Sequence, residues 1–292
     1  TFYRWYLRYQ EMGPDGLADS KAGPRQFWNR IPQAVREHVV KTALEQPEKS
    51  PRELAWHITT KEGYFISESS VYRILKAYDL VTSPVFEMIT ASDRFKDPTR
   101  RVNEMWQTDF TYLKVIGWGW FYLSTILDDY SRYIIAWKLC TTMKASDVTD
   151  TLELALQASG CDQINVRHRP RLLSDNGASY IATELADWLD GKGMDHVRGA
   201  PYHPQTQGKI ERWHQTLKNR ILLENYFLPG DLKAQINKFI EHYNHHRYHE
   251  SLQNLTPADV YFGRGDLILQ QRERIKQNTI NERRLQYRKQ AA

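Results

Sequence analysis

The stretch that decides the fold is Pro201–Glu211, which reads PYHPQTQGKIE. Its two prolines predict a loop, because proline fixes its own φ and keeps the preceding residue extended. From 205 to about 223 helix-forming residues dominate, so an amphipathic helix is predicted to follow the loop. Its apolar stripe is predicted to consist of Ile210, Leu217, Ile221 and Leu222. Glu211 therefore lies in the first turns of a helix, directly behind a polar loop.

Glu211 by itself indicates little, since most glutamates on helices are solvated. Gln215 and Lys218 lie four and seven residues further on and share its helix face. A carboxylate and a cation on one face, beside a polar loop, are compatible with a phosphodiester site. Further carboxylates are needed to support that interpretation.

Asp109 lies in a run of β-branched and aromatic residues, Trp106–Val115, that predicts a strand. Alternation places its side chain on the same face as Thr111, Leu113 and Val115. A carboxylate on such a largely apolar face is unfavourable unless a cation or hydrogen bonds compensate it. The strand therefore predicts a functional role for Asp109.

Asp175 follows a short predicted strand, 171–174, and precedes an Asn-Gly turn. In open α/β sheets, ligand-binding residues collect at the carboxyl ends of strands. Thirty-five residues, 176–210, separate Asp175 from Glu211. Asp109, Asp175 and Glu211 are thus three candidate catalytic carboxylates on separate elements.

These carboxylates resemble the catalytic triad of the DDE transposases of the retroviral-integrase superfamily. The loop matches that family's pattern Pro-Tyr-x-Pro-Gln-Thr-Gln-Gly-x-x-Glu over Pro201–Glu211. The residues that resemble the closing motif of bacterial insertion-sequence transposases are Tyr243, Asn244, Arg247, His249, Ser251, Leu252, Thr256 and Pro257. The resemblance is strong over about residues 100–265 and weaker towards the N terminus.

The resemblance implies a ribonuclease-H-like fold in which Asp109, Asp175 and Glu211 hold two Mg²⁺ or Mn²⁺ ions, with Asp109 bridging both. Oxygen donors without sulfur favour such ions. Two ions support cleavage at the ends of an insertion sequence and joining of the 3′-hydroxyl ends to target DNA. The implied partners are double-stranded DNA, comprising terminal inverted repeats and target, and further copies of the chain, at least a dimer on DNA.

Contacts to DNA are also implied by the resemblance. Tyr202 and Gln207 are expected to position the DNA ends, and Lys218 to neutralise a phosphate. The further candidates for DNA contact are Lys209, Arg212, Gln215 and Arg247.

Residues 32–78 predict a compact three-helix unit of the helix-turn-helix kind. Ser50 to Glu53 form a capping box with proline at the first helical position. The third helix begins near Ser67 or Ser69, and its predicted buried residues are Val71, Ile74 and Leu75. Its exposed side carries residues suited to phosphates and bases in a major groove, namely Ser70, Tyr72, Arg73 and Lys76.

The whole chain divides into five predicted segments. They are 1–31, 32–78, a linker at 79–104, a catalytic domain at 105–265 and a basic helical tail at 266–292. The first segment is either a packing helix or the remnant of an upstream helix-turn-helix, and we expect further chain upstream of it. Strands are predicted at 106–115, 120–127, 133–139, 171–174 and 195–198, and helices at 146–159 and 179–190. This order predicts an α/β mixed sheet flanked by helices, preceded by an all-α region.

Composition narrows the class of protein. The net charge is +5, and residues 266–292 hold seven Lys or Arg against three Asp or Glu, so most of the excess lies in the tail. Cys140 and Cys161 form no CxxC pair, which argues against a disulfide framework and a cysteine-based zinc site. No apolar run approaches the length of a membrane span, and the start lacks a signal-peptide pattern. These features predict a cytoplasmic protein without membrane partners, associated with the nucleoid when bound to DNA.

Several residues have alternative interpretations. Asp128 and Asp129 are expected at a turn and paired with Arg132, rather than in catalysis. Trp213 is expected to be mainly a core residue or to wall the site beside Glu211. Three roles of the tail helix are compatible with the sequence: a basic arm that binds DNA, a dimer contact or a solvated helix. The histidines whose spacing a zinc site could use are His242, His245, His246 and His249, although cysteine and carboxylate partners are lacking.

Three other functions remain compatible with the sequence. A retroviral-type integrase would share the core and usually carries a His-His-Cys-Cys zinc module, a pattern not found in these 292 residues. A structure-selective nuclease of the same fold would cleave DNA without joining it. A domesticated DNA-binding regulator would have lost a member of the triad, whereas all three carboxylates are present.

Overall fold

The computed structural model describes residues 2–17, 27–81, 99–163, 168–199 and 208–291. The loop 201–207 and most of the predicted linker lie outside these residues. The first part of the chain is all-α, as predicted. Its elements are α1 (Phe2–Met12), a 3₁₀ turn (Gly13–Leu17), α2 (Gln33–Glu45), α3 (Pro51–Glu62) and α4 (Glu68–Ala77).

Helices α2 to α4 form the predicted three-helix unit around a small core. The central residues of that core are Val39, Leu54, Ala55, Ile58, Ile66, Val71, Ile74 and Leu75. The predicted capping box at Ser50 and Glu53 is present, and Ser67 caps α4 by accepting a hydrogen bond from the Ser70 N–H. In α1 every residue is exposed, so this helix lies apart from the core.

A five-stranded mixed sheet follows, in the order β3-β2-β1-β4-β5. Its strands are β1 (Met105–Val115), β2 (Gly119–Asp128), β3 (Ile134–Cys140), β4 (Arg171–Ser174) and β5 (His196–Arg198). The first three strands form an antiparallel meander, whereas β1 pairs with β4, and β4 with β5, in parallel. The prediction of a mixed sheet with helices on both faces is confirmed.

Alternation along β1 divides the core between the two faces of the sheet. Trp106 packs against α5 (Ala145–Ser159), α6 (Ala178–Ile181) and α7 (Thr183–Lys192). Leu113 and Val115 pack on the other face, against α8 (Gly208–Ile221) and α9 (Pro229–His245). This second layer brings the helix that carries Glu211 onto the strand that carries Asp109.

Two local predictions were wrong. The single helix expected at 179–190 is two helices, because the backbone at Ala182 is extended, with φ −63° and ψ 138°. Leu222, expected in the apolar stripe, is 61% exposed because α8 ends at Ile221 and the chain turns away there.

The C-terminal part contains a 3₁₀ turn (Glu250–Leu252), α10 (Pro257–Tyr261) and α11 (Gly265–Ala291). Although α11 is 27 residues long, it is too polar to cross a membrane, and the other helices of the described residues are shorter than a membrane span requires. This helix gives the tail a role that the sequence did not indicate, because it packs back on the three-helix unit.

Arg272 of α11 is the main contact, with 5% of its surface exposed. Its Nε donates to Thr60 Oγ1 of α3 over 2.9 Å, and its Nη1 donates to the Asn254 carbonyl over 2.9 Å. Its guanidinium also lies 4.6 Å from the ring centroid of Trp56 and 5.4 Å from that of Tyr248. The side chain of Arg272 thus contacts both the three-helix unit and the segment after α9, and it connects α11 to each of them.

Replacing Arg272 with alanine is expected to lower the free energy of unfolding by about 3 kcal/mol, since hydrogen bonds from a charged group and cation–π contacts are lost. Urea unfolding measures this loss, and limited proteolysis reports whether α3 separates from α11. Arg274→Ala is the matched control, because Arg274 lies on the same helix and is exposed. A loss no larger than that of the control contradicts the role of Arg272.

Candidate active site

Asp109 lies in the middle of β1, opposite Thr125 of β2. Its side chain is 24% exposed and lies on the face that packs against α8, as predicted. Its Oδ1 accepts a hydrogen bond from the Phe110 N–H over 2.8 Å. Its Oδ2 lies 3.4 Å from Nδ1 of His214, a buried residue of α8. Asp109 is therefore in direct contact with the helix of the second candidate carboxylate.

Glu211 lies in the first turn of α8. Partial desolvation raises the pKa of its carboxyl, and the negative charge of Asp109 raises this pKa further. His214 acts in the opposite direction. The two carboxylates are therefore close enough to interact electrostatically.

Asp175 directly follows β4. In the parallel pair Gln107 of β1 is opposite Leu173 of β4, so Asp109 and Asp175 each lie two residues beyond the last paired position. Burial raises the pKa of Tyr180 well above its usual value, and the charges of Asp109 and Asp175 both contribute to the rise. Asp175 thus lies just after the carboxyl end of β4, and its charge and that of Asp109 both act on Tyr180.

The three carboxylates do not form a closed metal site. Within the described residues, no three His, Cys, Asp or Glu side chains are grouped closely enough to hold a metal ion. Asp175 Oδ1 instead accepts a hydrogen bond from the Gly177 N–H over 2.9 Å, as Asp109 does from Phe110. The pKa of Glu211 is raised partly because the negative charge of Asp109 repels its ionised form. A divalent cation bound by these carboxylate oxygens would relieve that repulsion, so the three residues fit such an ion.

A buried ion pair holds the first turn of α8 against β1. Asp129 is 3% exposed, and its Oδ2 lies 2.6 Å from Lys209 Nζ. Its Oδ1 accepts from Gln107 Nε2 over 2.7 Å, and Gln107 Oε1 accepts from the Ile210 N–H over 3.0 Å. We call these four residues the Asp129 clamp. Since Gln107 and Lys209 each lie two residues before a candidate carboxylate, the clamp sets where Glu211 meets Asp109.

Sequence reasoning missed His214 and Gln107, although each carried a signal. His214 lies three residues after Glu211, and Gln107 lies two residues before Asp109 on the same strand face. Helix and strand periodicity identify both as neighbours of the site. Their partners were not identifiable, because these partners come from other elements.

The structure shows the surroundings of three side chains that the sequence analysis singled out. Lys209 is paired with Asp129, which makes it a clamp residue, and its contact with a DNA phosphate stays a prediction. The predicted pair between Asp128 and the Arg132 side chain is wrong. The carboxylate of Asp128 instead accepts hydrogen bonds from the Asn103 N–H and from the N–H and hydroxyl of Ser131. Trp213 is 1% exposed and packs in the core, which agrees with the first of its two interpretations.

The remaining predicted DNA contacts lie on different parts of the molecule. Lys218 Nζ is 4.3 Å from the ring centroid of Tyr112, and Gln215 Nε2 donates to Asn219 Oδ1 over 2.9 Å. Tyr202 and Gln207 lie outside the described residues. The other candidates are Arg212, exposed on α8; Arg247, whose guanidinium lies over the Tyr243 ring; and Tyr72, Arg73 and Lys76, exposed on α4.

Comparison with known families agrees with the observed fold. Models of the integrase core domain match residues 99–204 and 192–257, which contain β1 to β5 and the clamp. The chain belongs to the retroviral-integrase superfamily. A homeodomain-like domain model matches residues 1–75, which include α1 to α3 and most of α4. The superfamily therefore accounts for the core, and a separate DNA-binding type of domain accounts for the all-α region.

Individual members of this superfamily match different shares of the chain. The transposase for insertion sequence element IS629 of Shigella sonnei is 24% identical over 220 residues, which are 70% of this chain and 71% of that protein. The Gag-Pro-Pol polyprotein of sheep pulmonary adenomatosis virus is 30% identical over 122 residues, 42% of this chain and 6% of the polyprotein. The chain thus spans only a small part of the viral polyproteins it matches.

A solved structure shows the shared fold. The simian T-cell lymphotropic virus intasome, in complex with PP2A regulatory subunit B56 gamma, superposes with a TM-score of 0.50 at 18% identity. The match covers 76% of this chain and 74% of that chain.

The Asp129 clamp is expected to be energetically coupled. In a double-mutant cycle, Asp129→Asn and Lys209→Met together should destabilise less than the sum of the single changes, by about 1–2 kcal/mol, because each single change leaves a desolvated partner. The value is moderate since a third of the Lys209 side chain is exposed.

The matched control is the exposed pair Lys41 and Glu45, whose charges lie 3.8 Å apart on α2. Its coupling should be about 0.3–0.5 kcal/mol, as for other surface helix pairs. Equal coupling energies for the two pairs, from urea unfolding, contradict the clamp.

Proposed function

We propose that this chain is an insertion-sequence transposase that cleaves the ends of its element and joins the 3′-hydroxyl ends to target DNA. The observation that carries the proposal is the 3.4 Å contact between Asp109 and His214, which brings the helix of Glu211 onto the strand of Asp109 within an integrase core. The extent of the match to the IS629 transposase, 71% of that protein, favours this function over a retroviral integrase.

In this proposal Asp109, Asp175 and Glu211 hold Mg²⁺ or Mn²⁺, two ions per site. When bound, such ions activate the attacking oxygen and stabilise the leaving oxygen of an in-line displacement at phosphorus. The chain's own residues prepare the site. His214 orients the Asp109 carboxylate, and the Asp129 clamp fixes the turn that presents Glu211. Lys218, on the same helix face as Glu211, offers a positive charge to a DNA phosphate.

The same proposal assigns DNA reading to the three-helix unit. Tyr72, Arg73 and Lys76 are exposed on α4, and Lys76 Nζ lies 5.9 Å from the ring centroid of Tyr72. A helix with such side chains is suited to a major groove, where lysine and arginine contact phosphates and guanine. We further propose that the chain acts as at least a dimer on terminal inverted repeats, so that a subunit can cleave an end that another subunit holds.

The triad is tested by Asp109→Asn, Asp175→Asn and Glu211→Gln. Each variant should lose both end cleavage and strand transfer by about 100-fold or more, because a lost cation ligand removes several kcal/mol of transition-state stabilisation. Joining of a pre-cut 3′-hydroxyl end in Mg²⁺ or Mn²⁺ measures this, and it separates a transposase from a nuclease that only cleaves.

Two controls accompany these variants. Asp187→Asn removes an exposed carboxylate of α7 and should leave joining unchanged. In Asp109→Asn the pKa of Glu211, measured by NMR titration, should fall, because one cause of its rise is removed. Near-normal joining by any triad variant removes that residue from the site.

DNA reading is tested by Arg73→Ala and Lys76→Ala, which should weaken binding to the terminal repeat without altering stability. Each lost base contact costs roughly 1–3 kcal/mol, and each lost phosphate contact lowers the slope of log affinity against log salt by about 1. Gel-shift titrations at several salt concentrations measure both quantities. Lys41→Ala is the control, since Lys41 is exposed in the same unit on α2. An unchanged affinity and slope would exclude α4 as the reading helix.

A further inference from the structure

A basic cavity lies on the opposite side of the Asp129 clamp from Glu211. Its volume is about 510 Å³, and it is bounded by the segment that leads into β1, the β2–β3 turn and the chain from 251 to 269. The charged residues that line it are Arg100, Arg101, Arg132, Lys209 and Asp266. Four cations therefore face one carboxylate.

Arg132 is the cation of this cavity that carries a buried nitrogen without a hydrogen-bond partner among the described residues. Its Nε is buried, and its guanidinium makes no hydrogen bond and no ion pair with the described residues. The neighbouring carboxylates are already engaged, Asp128 by Ser131 and Asn103, and Asp129 by Lys209. Because a desolvated guanidinium is unfavourable without an acceptor, this side chain is suited to an anionic ligand.

The surroundings of Arg132 are electropositive on the protein side as well. The pKa of His249 is lowered to about 3, first by burial and then by the charges of Arg247, Arg132 and Arg212. His249 is therefore neutral and adds no positive charge. Its lowered pKa indicates that three guanidinium groups act on one buried ring. Arg132 belongs to both this group and the lining of the cavity, so it lies where the two positive fields overlap.

The backbone at Arg132 is also unusual, with φ at +66°. A non-glycine residue in this left-handed region is uncommon and costs about 1 kcal/mol or more. Glycine or asparagine would relieve that strain, so the arginine at this turn is favoured by something other than local conformation. Arg132 lines the cavity, whereas the carboxylate of Asp128 bonds to Asn103 and Ser131.

We propose that Arg132, with Arg100 and Arg101 at the rim, binds a phosphodiester group of the DNA backbone. The proposal rests on the proposed function only in taking DNA as the source of the phosphate. Guanidinium groups bind phosphate oxygens through two parallel hydrogen bonds, which matches the free donors of Arg132. Lys209 lines the cavity two residues before Glu211, so the cavity adjoins the candidate active site. A bound strand can therefore contact both.

The test uses the full-length protein and a non-specific duplex of about 30 base pairs, because the phosphate contribution to affinity does not depend on sequence. Arg132→Met removes the charge at similar length and should lower the salt slope of binding by about 1, with roughly a fivefold loss of affinity at moderate salt. Arg132→Lys keeps the charge and should retain the slope. Arg264→Met is the matched control, because Arg264 is a nearby cation already paired with Asp259 at 3.2 Å.

A second arm separates DNA from free anions and controls for folding. Thermal unfolding is followed with and without inorganic phosphate at constant ionic strength. Without phosphate, Arg132→Met should unfold at the same or a higher temperature than the wild type, since an unpaired buried charge is removed. If phosphate raises the unfolding temperature of the wild type alone while the DNA salt slope is unchanged in Arg132→Met, the site binds a small anion and the DNA source is wrong.

Two outcomes overturn the site itself. One is an unchanged salt slope in a folded Arg132→Met variant together with no effect of phosphate on the wild type. The other is failure of both Arg132→Met and Arg132→Gln to fold, which makes Arg132 a structural cation. If the wild type binds no duplex at any salt concentration, the proposed function fails instead, and the phosphate arm alone decides the site.

Discussion

The arrangement of the catalytic part depends on the buried contact between Asp129 and Lys209. A carboxylate that is 3% exposed is stable only when its oxygens are fully engaged, and here they accept from Lys209, Gln107 and Thr99. Through Gln107 the same network reaches the Ile210 N–H, which is one of the unpaired donors at the start of a helix. The beginning of α8 is therefore bonded to the centre of the sheet. The hydrogen bond between Gln107 and the Ile210 N–H therefore fixes the position of Glu211, the next residue of α8.

The clamp also separates opposite charges. Residues 209 and 211 lie about 200° apart around a helix, so Lys209 faces Asp129 and the basic cavity, whereas Glu211 faces Asp109. The acidic side fits a divalent cation, and the basic side fits a phosphate. Because both sides belong to one helical turn, a DNA strand that crosses this turn would meet a cation at one side and a guanidinium at the other.

A second constraint links the catalytic part to the three-helix unit. Arg272 and Arg283 of α11 bond to Thr60 and to the Phe65 carbonyl, and Arg52 of α3 pairs with Glu250 at 2.9 Å. Contacts of this kind give the three-helix unit a defined orientation relative to the sheet. A fixed orientation has a functional consequence under the proposed function, because the distance between the bound repeat and the cleaved bond would then be set by the protein.

Local patterns in the sequence determined most of the secondary structure and the identity of the candidate carboxylates. The alternation around Asp109, the proline and capping residues at Ser50, and the apolar spacing of α4 each depend on near neighbours, so they could be recognised without coordinates. The Asp128–Arg132 pair was predicted from proximity in sequence and was wrong, because main-chain N–H groups lie closer to that carboxylate. Only the tertiary structure decided that Lys209 pairs with Asp129, 80 residues away, and that Arg272 reaches Thr60, 212 residues away. Such contacts arise from how whole elements pack, and periodicity along the chain carries no information about which distant partner a buried charge will meet.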